Sequence, residues 1–101
     1  MAVRTKQDAA KVLADVVDDK RFFCHDGCVA KNLYQLAECL SHINQESFSH
    51  HVNEAKNDFA NWTRDVFGDI KLASDLTRSA DHAEAARVVQ ERIAWLEKKI
   101  K

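Results

Sequence analysis

Phe48 to Asp69 reads FSHHVNEAKNDFANWTRDVFGD. Within it, Phe48, Val52, Ala55, Phe59, Trp62 and Val66 are separated by alternating fours and threes. That spacing lays a continuous apolar seam along one side of a helix. Two histidines, Asn57 and Asp58 crowd the flanks of the seam, and no other part of the chain gathers as many bulky aromatic and polar groups on so few turns. Asn53 and Asn57 are poor helix formers and leave room for a kink or short break near Asn53. Asn57-Asp58 before Phe59 reads as a local cap that restarts the helix. Alternatively, Asp58 accepts from the Trp62 indole one turn on.

Working outward, helices are expected on both sides. The chain has no proline and only two glycines, so little in it removes a backbone donor or fixes an awkward dihedral. Gly68-Asp69 reads as a helix stop followed by a helix start, with Leu72, Ala73 and Leu76 on the buried side of the short helix that follows. Asp81 with Glu84 opens a last helix burying Ala85, Val88, Val89, Ile93, Leu96 and Ile100. Upstream, Asn44 caps the central helix. Asn32 with Gln35 opens a helix carrying Leu33, Leu36, Ala37, Leu40 and Ile43 on one face. Phe22, Phe23, Cys24, Cys28 and Val29 favour strands around Asp26-Gly27, a hairpin turn signal. Thr5 with Asp8 caps a first helix whose stripe is Ala9, Val12, Leu13, Val16 and Val17, fraying at Asp18-Asp19. The fold class is a single mostly α domain over residues 1–101, of about five helices with a small β-hairpin near 21–31.

Length and composition set limits on function. A chain of 101 residues, 46% apolar and 31% charged, belongs with ordinary globular proteins and buries roughly two-thirds of its unfolded surface. The net charge of −1 does not indicate a nucleic-acid binder. Arg4, Lys6, Lys11, Lys98, Lys99 and Lys101 put a slight basic excess at both ends. No stretch is long and apolar enough for a membrane span, and the N-terminus lacks a signal-peptide core. A cytoplasmic location with reduced thiols is the default expectation for three cysteines without a secreted framework.

Phe22, Phe23, Asp26, Gly27, Phe48, His50, His51, Val52, Asn57, Asp58, Phe59, Trp62, Asp65, Val66, Gly68, Asp69, Leu72 and Ala73 follow one another in a pattern. Its core is Phe-x-x-His-His-Val, then Asn-Asp-Phe-x-x-Trp, then Asp-Val-x-Gly-Asp. The segment from Phe22 to Leu76 resembles, in this pattern, a small prokaryotic family known only as a domain of unknown function. The resemblance covers roughly half the chain. It implies a compact, mostly helical module, found alone or appended to other domains, and brings no activity, cofactor or catalytic residue. Thr63 stands where the pattern has an aliphatic residue, and the cysteines are not part of it.

Two constellations are candidates for chemistry. Cys24, Cys28, Cys39 and His42 read C-x3-C-x10-C-x2-H, two close pairs that could clip the hairpin to the next helix through zinc. Against this, Cys39 is expected to pack as a small hydrophobe, with the hairpin cysteines half-buried. A Cys24–Cys28 disulfide is disfavoured in a reducing cell. His51, Glu54 and Asp58 fall on one helical stripe, with His50 one turn before Glu54. Imidazole with carboxylate suits a metal or acid–base work, but a dinuclear centre needs ligands from further helices. The blander expectation is one buried, hydrogen-bonded histidine and one solvated histidine.

No nucleophile elbow or phosphate-cradling glycine loop is present. The leading function is therefore a non-enzymatic protein-interaction or structural module. It presents His50, His51, Asn57, Asp58, Arg64 and Asp65 to a protein partner, with self-association through the final helix or Trp95. A zinc module on Cys24, Cys28, Cys39 and His42 comes second, and a small enzyme using His51 and Asp58 third.

Overall fold

A computed structural model describes residues 3–101. Six α-helices and one two-stranded antiparallel hairpin follow in the order α1 (Lys6–Leu13), β1 (Phe22–Phe23), β2 (Val29–Ala30), α2 (Leu33–His42), α3 (Gln45–His51), α4 (Asp58–Phe67), α5 (Ile70–Thr77) and α6 (His82–Ile100). A single 3-10 turn, Asp18–Lys20, lies between α1 and β1. The fold is the expected mostly α bundle with a small hairpin.

Each helix starts at a polar side chain that captures a free amide of its first turn. Thr5 accepts from Asp8 N–H, and Asp8 returns the bond to the Thr5 amide. Asn32, Asn44, Asn57, Asp69 and Asp81 accept from the residue three further on. Each such cap stabilises its helix by about 1 kcal/mol. Gly68 ends α4 in the left-handed region at φ 68°, where a Cβ would be strained.

The long central helix expected from Phe48 onward is two helices. Asn53 accepts the amides of both Ala55 and Lys56, and Asn53 N–H donates to the Lys56 carbonyl. These local bonds replace helical ones, turn the chain back, and pair Val52 with Asn57 in an isolated bridge. Ala55 leaves the seam and is exposed, while Phe48, Phe59 and Trp62 remain buried.

Helix α6 is the spine. Helix α2 packs along it most extensively, α1 and α5 also lie against it, and α4 packs on α5. Its buried side is Ala85, Ala86, Val89, Ile93 and Leu96. Val88 is half-buried, and Ile100, expected inside, is exposed at the last position of the helix. The first helix stops at Leu13, before Val16 and Val17; Val17 is exposed.

The hairpin is too short to stand alone, and Phe22 anchors it. That ring stacks on Phe59 at 4.9 Å and meets the Trp62 ring edge-on at 5.6 Å. Trp62 donates its indole N–H to the Lys20 carbonyl at 2.7 Å, which ties the 3-10 turn to α4; Asp58 is not its partner. Gly27 closes the hairpin at φ 96°.

Candidate functional site

Two regions hold the groups that sequence reading singled out or passed over. The first lies where the hairpin tip meets α3 and the start of α4. His51 is buried, and both its ring nitrogens are engaged. Nδ1 donates to Asp58 Oδ2 at 2.9 Å, and Nε2 accepts the backbone N–H of His25 at 2.9 Å. These roles require the neutral ring with its proton on Nδ1. His25 Nδ1 lies 3.2 Å from Ser47 Oγ, and the His25 and His50 rings stack at 4.3 Å.

Asp58 takes a second bond from Lys56 Nζ at 2.9 Å. Partial burial works to raise the Asp58 carboxyl, but the bonds from His51 and Lys56 outweigh it and hold the group below the ordinary carboxylate value. His50 is exposed. Desolvation first, then the neighbouring His25 and His51 rings and Lys56, hold its imidazole below the ordinary histidine value.

The residues expected to form one interaction surface are thus divided. His51 is an internal strut. Asn57 caps α4 and donates to the Leu76 carbonyl at 3.2 Å, joining α4 to α5. Asp58 is half-buried beside them. Only His50, Arg64 and Asp65 are exposed, and Arg64 is held by Asp65 and Asn61. The His51–Asp58 pair has the look of a general-base dyad, yet the nitrogen that would take a proton already accepts the His25 amide. Of the two partners of His51, Asp58 was legible in the sequence and His25 was missed, its only signal being one more histidine beside Asp-Gly.

The expected zinc set does not form a four-ligand group, although Cys28 neighbours both other cysteines. Cys28 and Cys39 form a disulfide, so neither is the reduced thiol expected from the sequence. Cys24 is a buried free thiol, pushed up to about 11 by burial and by Asp26. His42 is exposed and turns Nδ1 to the Glu38 carbonyl of its own helix. Among the described residues no group of three or more His, Cys, Asp or Glu side chains is arranged to hold a metal ion. The disulfide instead clips the hairpin directly to α2. In the chain-entropy account, closing a loop of this size stabilises the fold by about 3 kcal/mol.

The second region holds Trp95, which the sequence offered as a self-association contact, in a cleft that the sequence did not announce. Helices α5 and α6, with Val3, enclose a cleft of about 850 Å³. Val3, Ile70, Val88 and Trp95 give it apolar walls, and Lys71, Asp75, Glu91 and Arg92 rim it with both signs of charge. Ile70 is 55% exposed and Trp95 40% exposed. Beneath them Arg92 forms a forked ion pair with Asp69, Nε to Oδ2 and Nη2 to Oδ1, both at 2.9 Å. Asp69 is 1% exposed and also caps α5. The Arg92 guanidinium lies 4.4 Å from the Trp95 ring centroid, and Lys99 Nζ lies 4.8 Å from it. Asp69 fixes Arg92, and Arg92 fixes Trp95, so the exposed indole is held from within.

Among the described residues no helix is long and apolar enough to cross a membrane. Comparison of the chain with protein-family models, with curated proteins and with solved structures finds no match.

Proposed function

We propose that the chain is a non-enzymatic protein-interaction module whose docking face is the cleft between α5 and α6. One observation carries this reading: two large apolar side chains, Ile70 and Trp95, are exposed on the walls of the same cleft. Apolar groups concentrated at one concave place, rimmed by polar ones, mark interaction surfaces. A rigid tryptophan at the centre of such a patch is a common energetic anchor. The enzyme reading on His51 and Asp58 finds less support, because both imidazole nitrogens already serve the fold.

A compact helical module is also what the resemblance to a family of unknown function implies, and membership of that family is part of the proposal. A cytoplasmic location is less well supported. The Cys28–Cys39 bond favours surroundings in which disulfides persist, or a thermophilic cell interior.

The test is affinity capture from an extract of the source organism with four immobilised proteins: wild type, Ile70→Glu, Trp95→Ala, and the double variant His50→Ala/Asp65→Ala. Proteins bound by wild type should be lost with Ile70→Glu and Trp95→Ala and kept with the double variant. The reverse pattern would return the docking face to the histidine end. Light scattering of the same proteins tells whether the bound partner is a second copy.

A further inference from the structure

Cys28 neighbours both of the chain's other cysteines. Cys28 closes the disulfide with Cys39 of α2. Cys24 stands opposite Cys28 across the hairpin. Its N–H donates to the Cys28 carbonyl at 2.8 Å, one step beyond the Phe22–Ala30 and Phe23–Val29 pairs. Directly opposed residues of an antiparallel pair put their side chains on the same face. Here that face is the inward one, shared with buried Phe22 and Ala30. Opposed residues of an antiparallel pair have Cα atoms about 4.5–5.5 Å apart, within the span of a disulfide. Cys28 therefore has two cysteines in reach, one joined to it and one free.

Access differs among the three. Cys24 and Cys39 are 6% and 2% exposed, whereas Cys28 is only half-buried at the hairpin edge. An incoming thiol meets the Cys28 end of the bond first. We propose that Cys28 is a thiol-exchange site for a low-molecular-mass monothiol, and that Cys24 is its resolving cysteine, so that the bond moves from Cys28–Cys39 to Cys24–Cys28.

The steps balance. The monothiolate forms an S–S bond to Cys28 as the Cys28–Cys39 bond breaks, and Cys39 leaves as a thiolate and takes up a proton. Cys24 loses its proton as it attacks Cys28, and the monothiol is expelled and recovers one. The monothiol returns unchanged, while Cys39 ends reduced and Cys24 oxidised by the same electron pair. In the closed fold Cys24 is a poor spontaneous nucleophile, since burial and Asp26 keep it protonated. Exchange therefore waits for the external thiol. Its product is a hairpin stapled to itself and released from α2.

The experiment treats the folded chain with sub-stoichiometric reduced glutathione. It then quenches in acid, alkylates under denaturing conditions and digests with trypsin without reduction. Trypsin places Cys24 and Cys28 on the peptide from Phe22 to Lys31, and Cys39 on the peptide from Asn32 to Lys56. The expected product is a Phe22–Lys31 peptide lighter by two hydrogens, together with an alkylated Cys39. In Cys24→Ser, a near-isosteric change, the reaction should stall with glutathione attached to Cys28. The proposal is overturned by any of three wild-type results: a persistent Cys28 adduct with Cys24 alkylated, joint alkylation of Cys28 and Cys39, or alkylation confined to Cys24.

Discussion

The histidine end and the α5–α6 cleft treat their distinctive residues in opposite ways. At the histidine end, His25, His51, Asp58, Asn57 and Ser47 turn their polar atoms onto one another or onto backbone. At the cleft, a buried Asp69–Arg92 pair holds apolar groups out toward solvent. Side chains that look chemical in sequence are thus bonded within the fold, and side chains that look like ordinary helix filler form the open surface. The difference follows from satisfaction. A buried polar group must be bonded within the fold, whereas an exposed isoleucine has no partner unless another molecule supplies one.

The largest effect is expected beneath the cleft. Asp69→Ala leaves Arg92 as a largely buried, unpaired guanidinium and removes the cap of α5. A loss of about 3–5 kcal/mol is expected on the scale of broken buried pairs. Urea unfolding measures it, and a loss under about 1 kcal/mol, typical of exposed pairs, would show that the cleft has no rigid support.

Next comes the contrast within the histidine pair. His51→Ala strips the His25 amide of its partner, leaves the Asp58 carboxylate with Lys56 alone, and removes ring contacts with Phe22 and Phe59 at 5.2 Å each. The expected loss is about 2–3 kcal/mol, the cost of polar groups left unsatisfied plus lost packing. His50→Ala, one residue earlier, should lie within about 0.5 kcal/mol of wild type, as at other exposed sites. Equal losses for the two variants would contradict the division between internal strut and solvated neighbour.

Acid should weaken the histidine end, and the sign is the same for both of its shifted groups. His50 is held below 6.5 in the folded chain, so the unfolded chain takes its proton first. Its contribution is complete above that value and is lost as pH falls through the lowered one. Asp58 is held below 3.8 and contributes above that value, with the loss following at lower pH. Denaturant midpoints should therefore decline on acidification, with Asp8 and Asp75, also held below the ordinary carboxylate value, sharing the lower part of the loss, and His50→Gln should lessen only the upper part. A midpoint that rises between pH 7 and 5 would reverse the assignment.

How far this was readable in sequence depends on the range of each interaction. The caps at Thr5, Asn32, Asn44, Asn57, Asp69 and Asp81 are three-residue events, so the residues announce them. Asp26-Gly27 marks its turn for the same local reason. The division of the central helix was half-legible: Asn53 signalled a break, but the apolar spacing ran straight through Ala55. The bond from Trp62 to Lys20, the fork of Arg92 on Asp69 and the Cys28–Cys39 pairing join residues that only tertiary packing brings together. Nothing in local spacing selects Cys39 over Cys24 as the partner of Cys28. The cleft was hidden for a related reason, since helical periodicity places Trp95 beside the buried stripe without telling what faces it.

The smallest expected effect on stability is the most informative about the cleft. Ile70 and Leu72 are both large aliphatics in the first turn of α5, yet Ile70 is 55% exposed and Leu72 is fully buried. Leu72→Ser opens a void in the core and strands a hydroxyl there, so a loss of about 3 kcal/mol or more is expected. Ile70→Ser touches neither core nor cap and should shift the unfolding free energy by no more than about 0.5 kcal/mol. If Ile70→Ser matched Leu72→Ser in urea unfolding of dilute protein, Ile70 would belong to the core, and the cleft would lose its claim to be an open face. If the Ile70→Ser loss grew with protein concentration, the wild-type surface would be covered by another copy of the chain, because association stabilises a fold by mass action.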